Sequence, residues 1–368
     1  MKVLYIINNL SKGGAESLLV DFLREVRQNQ QFEFELLLLE NTGHSSNFEV
    51  LAANHIKVHY LSETGMYNFF SIMKKMVHFI KKSDFSCVHA HLFPSLYYLA
   101  FLKLLGFIKI PIIVTEHTTK TNRMNKLVFR MLDKVVYGQF ERIICVSSSV
   151  MLKLSDYLKS IKSLLVISNG VTSWNEIVKT PIRNELKILP NKKLVLMTAR
   201  FQPGKDQLTV IKALGLLSDK DICLLFAGEG PLRTKAELLI EELGLEGQVF
   251  FLGVRKDVRS IMSQVDLNIL STEFEGLSGV TLENMYAAKP FLGTRVPGVE
   301  ELVGDENSLF TYMDFIELSK RMKEFLTNEQ AMRINVELNL KKVAGFGMNS
   351  MVNEHYKVYE EVCGIRQN

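Results

Sequence analysis

Short apolar runs recur along this chain, each followed by a glycine or polar turn and then by a stretch of helical period. Runs of this length between helices indicate a parallel sheet with both faces covered. In the first half they are "KVLYII", "FEFELLLLE", "IKVHYL", "CVHAH", "PIIVTEH" and "RIICVS". Between them lie the amphipathic "AESLLVDFLREVRQ", a lysine-rich helix over 68–82 and an apolar helix beginning "SLYYLAFLK". The alternation pauses at "VISNGVTSWNEIVKTPIRNELKILP", whose Asn-Gly and two prolines mark a linker. A second series then runs through "KKLVLMTAR", "ICLLFAGEG", "QVFFLG", "LNILS" and "PFLGTR". The expected class is α/β, with two parallel sheets. The 368 residues suit two domains of roughly 170 to 190 residues each. Ligands of open α/β sheets bind at the carboxyl ends of the strands, so two such sheets facing each other would make a cleft.

Composition excludes several classes. The chain is 47% apolar and 23% charged, ordinary for a globular protein with a substantial core. Cys87, Cys145, Cys223 and Cys363 have no short spacing, which argues against a disulfide framework or a zinc site and suits a reducing cytoplasm. "MKVLYIINNLSKGG" reads as a strand and a glycine turn rather than a signal peptide. "SLYYLAFLKLLGFIKIPIIV" is interrupted by Lys103, Gly106, Lys109 and Pro111, and reads as a buried helix, a turn and a strand. Net charge is +4, unevenly spread: residues 1–178 hold 20 Lys and Arg against 14 Asp and Glu.

Three segments carry candidate chemistry. In "NNLSKGGAES", Gly13 and Gly14 follow the first strand and open a helix. Glycines there let the backbone approach a phosphate at a helix N-terminus. In "TARFQPGKDQ", Arg200 and Lys205 lie five apart after the first strand of the second series. Two cations over a strand end can clamp a diphosphate, Arg as a fork and Lys as a point charge. In "STEFEGLSGVTLENMYAAKP", Glu275 sits in a loop and Glu283 just over one turn inside a helix that starts near Ser278, Gly279 and Val280. The amides of that helix start can hold a phosphate. The two carboxylates cannot ligate phosphate, but they accept hydrogen bonds from sugar hydroxyls. Each feature also has a plainer explanation: a common Gly-Gly turn, a solvated cationic loop, and acids capping a helix.

Taken together and in order, these segments resemble the retaining glycosyltransferases of family 4, which have the GT-B fold. "NLSKGGAE", "VHAHLFPS", "VTEHTT", "ISNGV", "ARFQPGKD", "FAGEGPLR", "FLGVRKDV", "EGLSGVTLENMYAAKP", "PGVEELV" and the closing "FGMNSMVNEHYKVYEEV" follow the family's sequence of motifs over nearly the whole chain. The resemblance implies an acceptor-binding Rossmann-like domain over 1–175, completed by a helix over 350–368, and a donor-binding domain over 176–349. It implies that Gly13 and Gly14 approach the diphosphate and that Arg200 and Lys205 bind its oxygens. Glu283 would hold the ribose and Glu275 the transferred sugar. Backbone at Gly253 and Val254 would meet the base, with Ser278, Gly279 and Val280 at the helix start. His117 would lie beside the reaction centre, and His91 and Glu16 would contact acceptor or sugar. Asn284 stands where the family usually has Ala, and Ala288 where it usually has Gly.

The reaction so implied moves a sugar from a nucleotide diphosphate donor, with UDP favoured over GDP or ADP, to a glycan or lipid-linked hydroxyl in cell-surface polysaccharide synthesis. No cofactor and no metal are expected. The literal DxD at Asp219 and Asp221 precedes a strand, at the end away from the expected cleft. His89 and His91 alternate along a strand, so at most one faces the cleft easily. The basic helices, with Lys120, Arg123, Lys126, Arg130 and Lys134 among apolar residues, suit an anionic membrane surface. The expected location is cytoplasmic, peripheral on the inner face of the plasma membrane. Nucleic-acid binding is not expected. Two alternatives remain at this stage: a GT-B sugar-nucleotide 2-epimerase, and a non-catalytic sugar-nucleotide or glycan-binding protein.

Overall fold

The structure, a computed structural model, describes residues 1–10, 13–26, 31–41, 46–63, 65–118, 127–159, 163–172 and 181–364. The chain divides into two compact units, residues 1–172 with 347–368, and residues 173–346.

The strands of the first unit are β1 (Lys2–Ile7), β2 (Glu33–Leu38), β3 (Lys57–Tyr60), β4 (Cys87–His91), β5 (Ile112–Glu116), β6 (Arg142–Cys145) and β7 (Leu164–Val166). They pair in the order β3-β2-β1-β4-β5-β6-β7, and every pairing is parallel. The connecting helices are α1 (Gly14–Val26), α2 (Ser46–Ala53), α3 (Phe69–Lys82), α4 (Ser95–Leu104), α5 (Leu127–Tyr137) and α6 (Ser148–Leu158). The strands of the second unit are β8 (Lys193–Thr198), β9 (Ile222–Ala227), β10 (Val249–Gly253), β11 (Leu267–Leu270), β12 (Phe291–Thr294) and β13 (Leu309–Phe310). Their order is β10-β9-β8-β11-β12-β13, again all parallel. Around that sheet lie α7 (Ile182–Glu185), α8 (Gln207–Leu217), α9 (Arg233–Leu243), α10 (Val258–Met262), α11 (Gly279–Tyr286), α12 (Pro297–Glu300), α13 (Phe315–Thr327) and α14 (Glu329–Val343). The final helix, α15 (Met348–Val362), belongs to the first unit.

The period-two alternation of the strands explains how both faces are covered. Val3, Tyr5 and Ile7 of β1, with Phe34, Leu36 and Leu38 of β2, share a core with Phe22 and Leu23 of α1 and Val352 and Tyr359 of α15. Burying one such large side chain fully is worth about 1.5–3 kcal/mol. That is why α15 holds to the first sheet although more than 170 residues separate it from the rest of the unit. Its Tyr359 hydroxyl also bonds that of Tyr5. In the second unit Val195, Met197, Phe226 and Ile269 pack with α8 and α13 on one face. Leu194, Leu196 and Leu225 pack with Ile261 and Met262 of α10 on the other.

Two strands escape the sequence reading. β7, of three residues, and β13, of two, are too short to show a period and lie at sheet edges. The apolar stretch near residue 100 is α4, a turn, and β5; among the described residues no helix is long and apolar enough to cross a membrane. Of the basic positions expected near α5, Lys120, Arg123 and Lys126 lie outside the described residues.

Candidate active site

Each sheet reverses its strand order once, between β1 and β4 in the first unit and between β8 and β11 in the second. Such switch points open a crevice at the carboxyl ends of the strands, where ligands of open α/β sheets bind. The candidate residues gather at these two places.

In the second unit the loop after β8 carries Arg200 and Lys205, and the loop after β11 carries Glu275. The two loops are pinned together. Thr272 and Lys205 form an antiparallel bridge, Glu273 N donates to Gly204 O at 2.8 Å, and Thr272 Oγ1 donates to Gly204 O at 3.0 Å. The Lys205 ammonium consequently donates to the Glu275 carboxylate, and to Thr272 Oγ1 at 3.3 Å. Arg200 is exposed, and among the described residues no carboxylate pairs with it. Its loop packs under the turn that follows β9. Gly228 and Gly230 have φ of +146° and +158°, and a Cβ on either would come within 2.3 Å of the carbonyl oxygen of Ala199 or Phe201. Only glycine fits there, so the "GEG" of "FAGEGPLR" is the support on which Arg200 is presented.

The helix start is equally specific. Ser278 is the N-cap of α11, its Oγ accepting from Thr281 N at 3.2 Å. The Ser278 amide is itself spent on Gly298 O at 3.0 Å. The amides of Gly279 and Val280 open the helix and have no carbonyl four residues back within it. The sequence reading grouped all three residues; the structure commits the Ser278 amide elsewhere and leaves those of Gly279 and Val280 at the open start of the helix. Glu283, one turn on, accepts from Arg259 Nε of α10 at 3.0 Å, with Nη2 also at 3.0 Å from the same oxygen. Gly253 ends β10 with φ +66°, and its carbonyl accepts from Gly228 N at 2.8 Å; Val254 beside it is half exposed.

Arg259 and Gly298 did not emerge from the sequence. Arg259 sits 24 residues before its carboxylate partner, on a five-residue helix with no pattern of its own. Gly298 lies within "PGVEELV", and a Cβ there would meet the carbonyl carbon and oxygen of Glu275 at 2.7 Å. That close approach fixes the backbone of Glu275, and only a three-dimensional contact reveals it.

In the first unit Gly13 precedes α1 and Gly14 begins it, with Ser17 N donating to Gly13 O at 3.0 Å. A Cβ on Gly14 would meet no atom of the described residues within 4 Å, which leaves room over it. Glu16 lies in the first turn of α1, partly buried. His91 ends β4 and His117 follows β5. His91 Nδ1 and His117 Nε2 are 2.9 Å apart. His91 is 6% exposed, and its Nε2 is buried with no partner among the described residues. His89 and His91 do not point apart as expected: two residues apart, they share one face of β4 and stack, with His89 wholly buried between Tyr359 OH at 2.9 Å and Thr115 Oγ1 at 2.7 Å, a structural position. His355 of α15 joins the cluster from the other side. Burial holds all four rings neutral at pH 7: His89 and His91 well below the usual histidine range, His117 and His355 down to about 4.

Asp219 and Asp221 are committed to a turn before β9: Asp219 Oδ1 accepts from Asp221 N at 2.8 Å, and Asp221 pairs with Lys192 at 2.9 Å. Among the described residues no group of three His, Cys, Asp or Glu side chains is placed to hold a metal ion.

Two all-parallel Rossmann-like units with loops of this kind define a GT-B glycosyltransferase fold. A crystal structure of Anabaena HepE in complex with UDP and glucose superposes with a TM-score of 0.85 at 19% identity, covering 98% of this chain and 100% of that one. The chain belongs to glycosyltransferase family 4: the profile described as Glycosyltransferase Family 4 matches residues 12–173, and that described as Glycosyl transferases group 1 matches residues 178–342. It is 25% identical over 236 residues to N-acetyl-alpha-D-glucosaminyl L-malate synthase of Bacillus anthracis, a span of 62% of each chain. It is 27% identical over 205 residues to a Campylobacter jejuni N-acetylgalactosamine-N,N'-diacetylbacillosaminyl-diphospho-undecaprenol 4-alpha-N-acetylgalactosaminyltransferase, 54% of this chain and 55% of that one. The chain thus spans under two thirds of the length of both relatives.

Proposed function

We propose that this glycosyltransferase moves a hexose-type sugar from a UDP-sugar to a hydroxyl of a lipid-linked glycan, with retention of anomeric configuration. The observation that carries the reading is the convergence of Arg200, Lys205, the Gly279 and Val280 amides, Glu275 and Glu283 at one switch point. Cations and amides match a diphosphate, and the two carboxylates match two sugars, one on either side of it. The UDP named with HepE and the diphospho-undecaprenol acceptor named with the Campylobacter enzyme support the same choice of donor and acceptor.

In the reaction the bond from the anomeric carbon to the diphosphate oxygen breaks and a bond to the acceptor oxygen forms on the same face. The acceptor proton passes to the departing phosphate oxygen. Arg200, Lys205 and the helix amides stabilise the charge that develops on the leaving diphosphate, and no metal is required for that task. His117 serves the reacting sugar, with Gly13 and Gly14 close to the diphosphate. Glu16 serves the acceptor. Gly253 and Val254 present backbone to the base.

Exposed apolar side chains on α3, α4 and α5 support an acceptor held in a membrane. Phe70 is 84% and Val128 79% exposed, and Tyr67, Leu105 and Met131 lie largely in solvent. Lys74, Lys81, Lys82 and Lys134 are exposed on the same helices, which pack in succession. The setting proposed is the cytoplasmic face of an anionic bilayer.

The test is a panel of UDP-, GDP- and ADP-sugars, screened first for thermal stabilisation and then for transfer to a short polyprenyl-diphosphate glycan, each with and without EDTA. Transfer from a UDP-sugar that persists in EDTA is expected. Conversion of the donor without acceptor, or loss of transfer in EDTA with rescue by magnesium, would overturn the corresponding part of the reading.

A further inference from the structure

We infer that His91 is a positioning residue that donates its Nδ1–H to His117 Nε2, so that His117 carries its own proton on Nδ1 and acts as a hydrogen-bond donor rather than as a base.

The 2.9 Å contact between His91 Nδ1 and His117 Nε2 holds one proton between two neutral rings. The other nitrogen of His91 decides which ring supplies it. Its Nε2 is buried without a partner among the described residues, and the ring lines a cavity of about 10 Å³. That cavity is walled largely by hydrocarbon, including Leu18, Leu19, Phe22, Ile144 and Ile167, and none of its polar lining, Asn169 and His355 included, lies within hydrogen-bond reach of Nε2. A buried N–H with no acceptor costs more than a buried lone pair with no donor. The proton of His91 therefore sits on Nδ1, where it has an acceptor. His117 Nε2 must then offer its lone pair, and a neutral imidazole has only Nδ1 left for its proton.

The surroundings hold the pair in place. His91 stacks on Tyr5 at 5.5 Å with an interplanar angle of 23°, and on His89 at 4.7 Å and 29°. Tyr5 and His89 are themselves locked through Tyr359 of α15. His355 lies at the same cavity, and its ring is committed: Nδ1 is 2.8 Å from Met351 O, and a carbonyl only accepts, so that nitrogen bears the proton. The final helix thus supplies Tyr359, which holds the two rings packed on His91, and His355, which lines the same cavity.

The consequence rests on the proposed function. An Nδ1–H on His117 can stabilise an oxygen of the sugar or the leaving phosphate as charge grows there. It cannot take the acceptor's proton, which leaves that to the phosphate itself.

The test is ¹⁵N–¹H correlation of the imidazole nitrogens in ¹⁵N-histidine-labelled full-length protein at pH 7.5, with His117 and His91 assigned by His117→Gln and His91→Phe. For both residues a pyrrole-type Nδ1 and a pyridine-type Nε2 are expected. In His91→Phe the His117 signals are expected to collapse toward an average of the two tautomers, with a fall in transfer rate. A pyrrole-type Nε2 on His117 in the wild-type spectrum would overturn the inference; His91 would then send its proton across the cavity toward His355 and accept from His117. An unchanged His117 tautomer in His91→Phe would also overturn it. The wild-type spectrum decides even if His91→Phe does not fold. It is recorded without substrate, so its outcome is separate from whether the chain transfers a sugar.

Discussion

Lys205 and Glu275 neutralise each other: the ammonium of the loop after β8 donates to the carboxylate of the loop after β11. A diphosphate arriving at Lys205 must compete with that carboxylate, whereas Arg200 has no such partner among the described residues. The two cations of the proposed clamp are therefore unequal. Arg200→Ala is expected to weaken UDP binding by about 1.5–3 kcal/mol, the worth of a charged hydrogen bond, or roughly 10- to 150-fold in Kd. Lys205→Ala is expected to cost less, because the broken Glu275 pair offsets part of the gain. Calorimetric titration of UDP into both variants checks the order; equal losses would contradict it.

Stability offers a separate test at Asn284. This side chain on α11 is 1% exposed, and neither its amide nitrogen nor its oxygen has a partner among the described residues. A buried polar group left unpaired costs about 1–3 kcal/mol. Asn284→Ala is expected to stabilise the second unit by about 1 kcal/mol after the small cavity is counted, raising its melting temperature by roughly 2–4 °C. Differential scanning calorimetry reads this directly, and a lower Tm would show that the amide is satisfied in solution.

Acid should unfold the first unit through its histidines. The folded pKa of His355 is held down to about 4 by burial, below the roughly 6.5 of an unfolded chain. Between these values the unfolded state binds the extra proton, so stability is complete above about pH 6.5 and falls as the pH drops toward 4. His355 alone contributes about 3 kcal/mol to that loss, and His89, His91 and His117 shift in the same direction. Urea midpoints measured from pH 7.5 to 4.5 should decline steeply, and His355→Phe should flatten the decline.

Membrane contact is expected to be electrostatic and hydrophobic together. Sedimentation with vesicles should be strong on anionic lipid, weak on neutral lipid and reduced by salt, since each basic residue near the surface is worth about 1 kcal/mol. Phe70→Ser should weaken it further without changing the salt dependence. Equal, salt-insensitive binding to both vesicle types would favour a soluble acceptor.

Much of this was legible in the residues themselves. Most of the strands β1 to β6 and β8 to β12 announce themselves as apolar runs, because parallel strands covered on both faces are mainly apolar; β3, at the sheet edge, is the exception, with Lys57 and Tyr60 exposed. Arg200, Lys205, Glu275 and Glu283 stand out by position, three of them in loops that follow strands and the fourth one turn inside a helix, although each position also has a plainer explanation. What stayed hidden depends on contacts across long sequence separations. The Arg259 guanidinium on Glu283, the fit of Gly298 against Glu275, and the burial of His91 between Tyr5 and His89 leave no local pattern. The two-residue β13 and three-residue β7 are likewise too brief to carry a period.

The division of labour between the two carboxylates is the centre of the account, and paired measurements of UDP affinity and transfer rate on Glu275→Gln and Glu283→Gln test it most directly. Glu283, held by Arg259 one turn inside α11, is assigned to the ribose, so its amide variant should bind UDP itself more weakly, by about tenfold. Glu275 is assigned to the transferred sugar alone. Its variant should bind UDP as well as the parent or slightly better, since Lys205 is released, while the transfer rate falls because a contact made as the glycosidic bond breaks is lost. Should Glu275→Gln weaken UDP binding as much as Glu283→Gln does, the two carboxylates do not serve two sugars, and they are supports for the start of the helix.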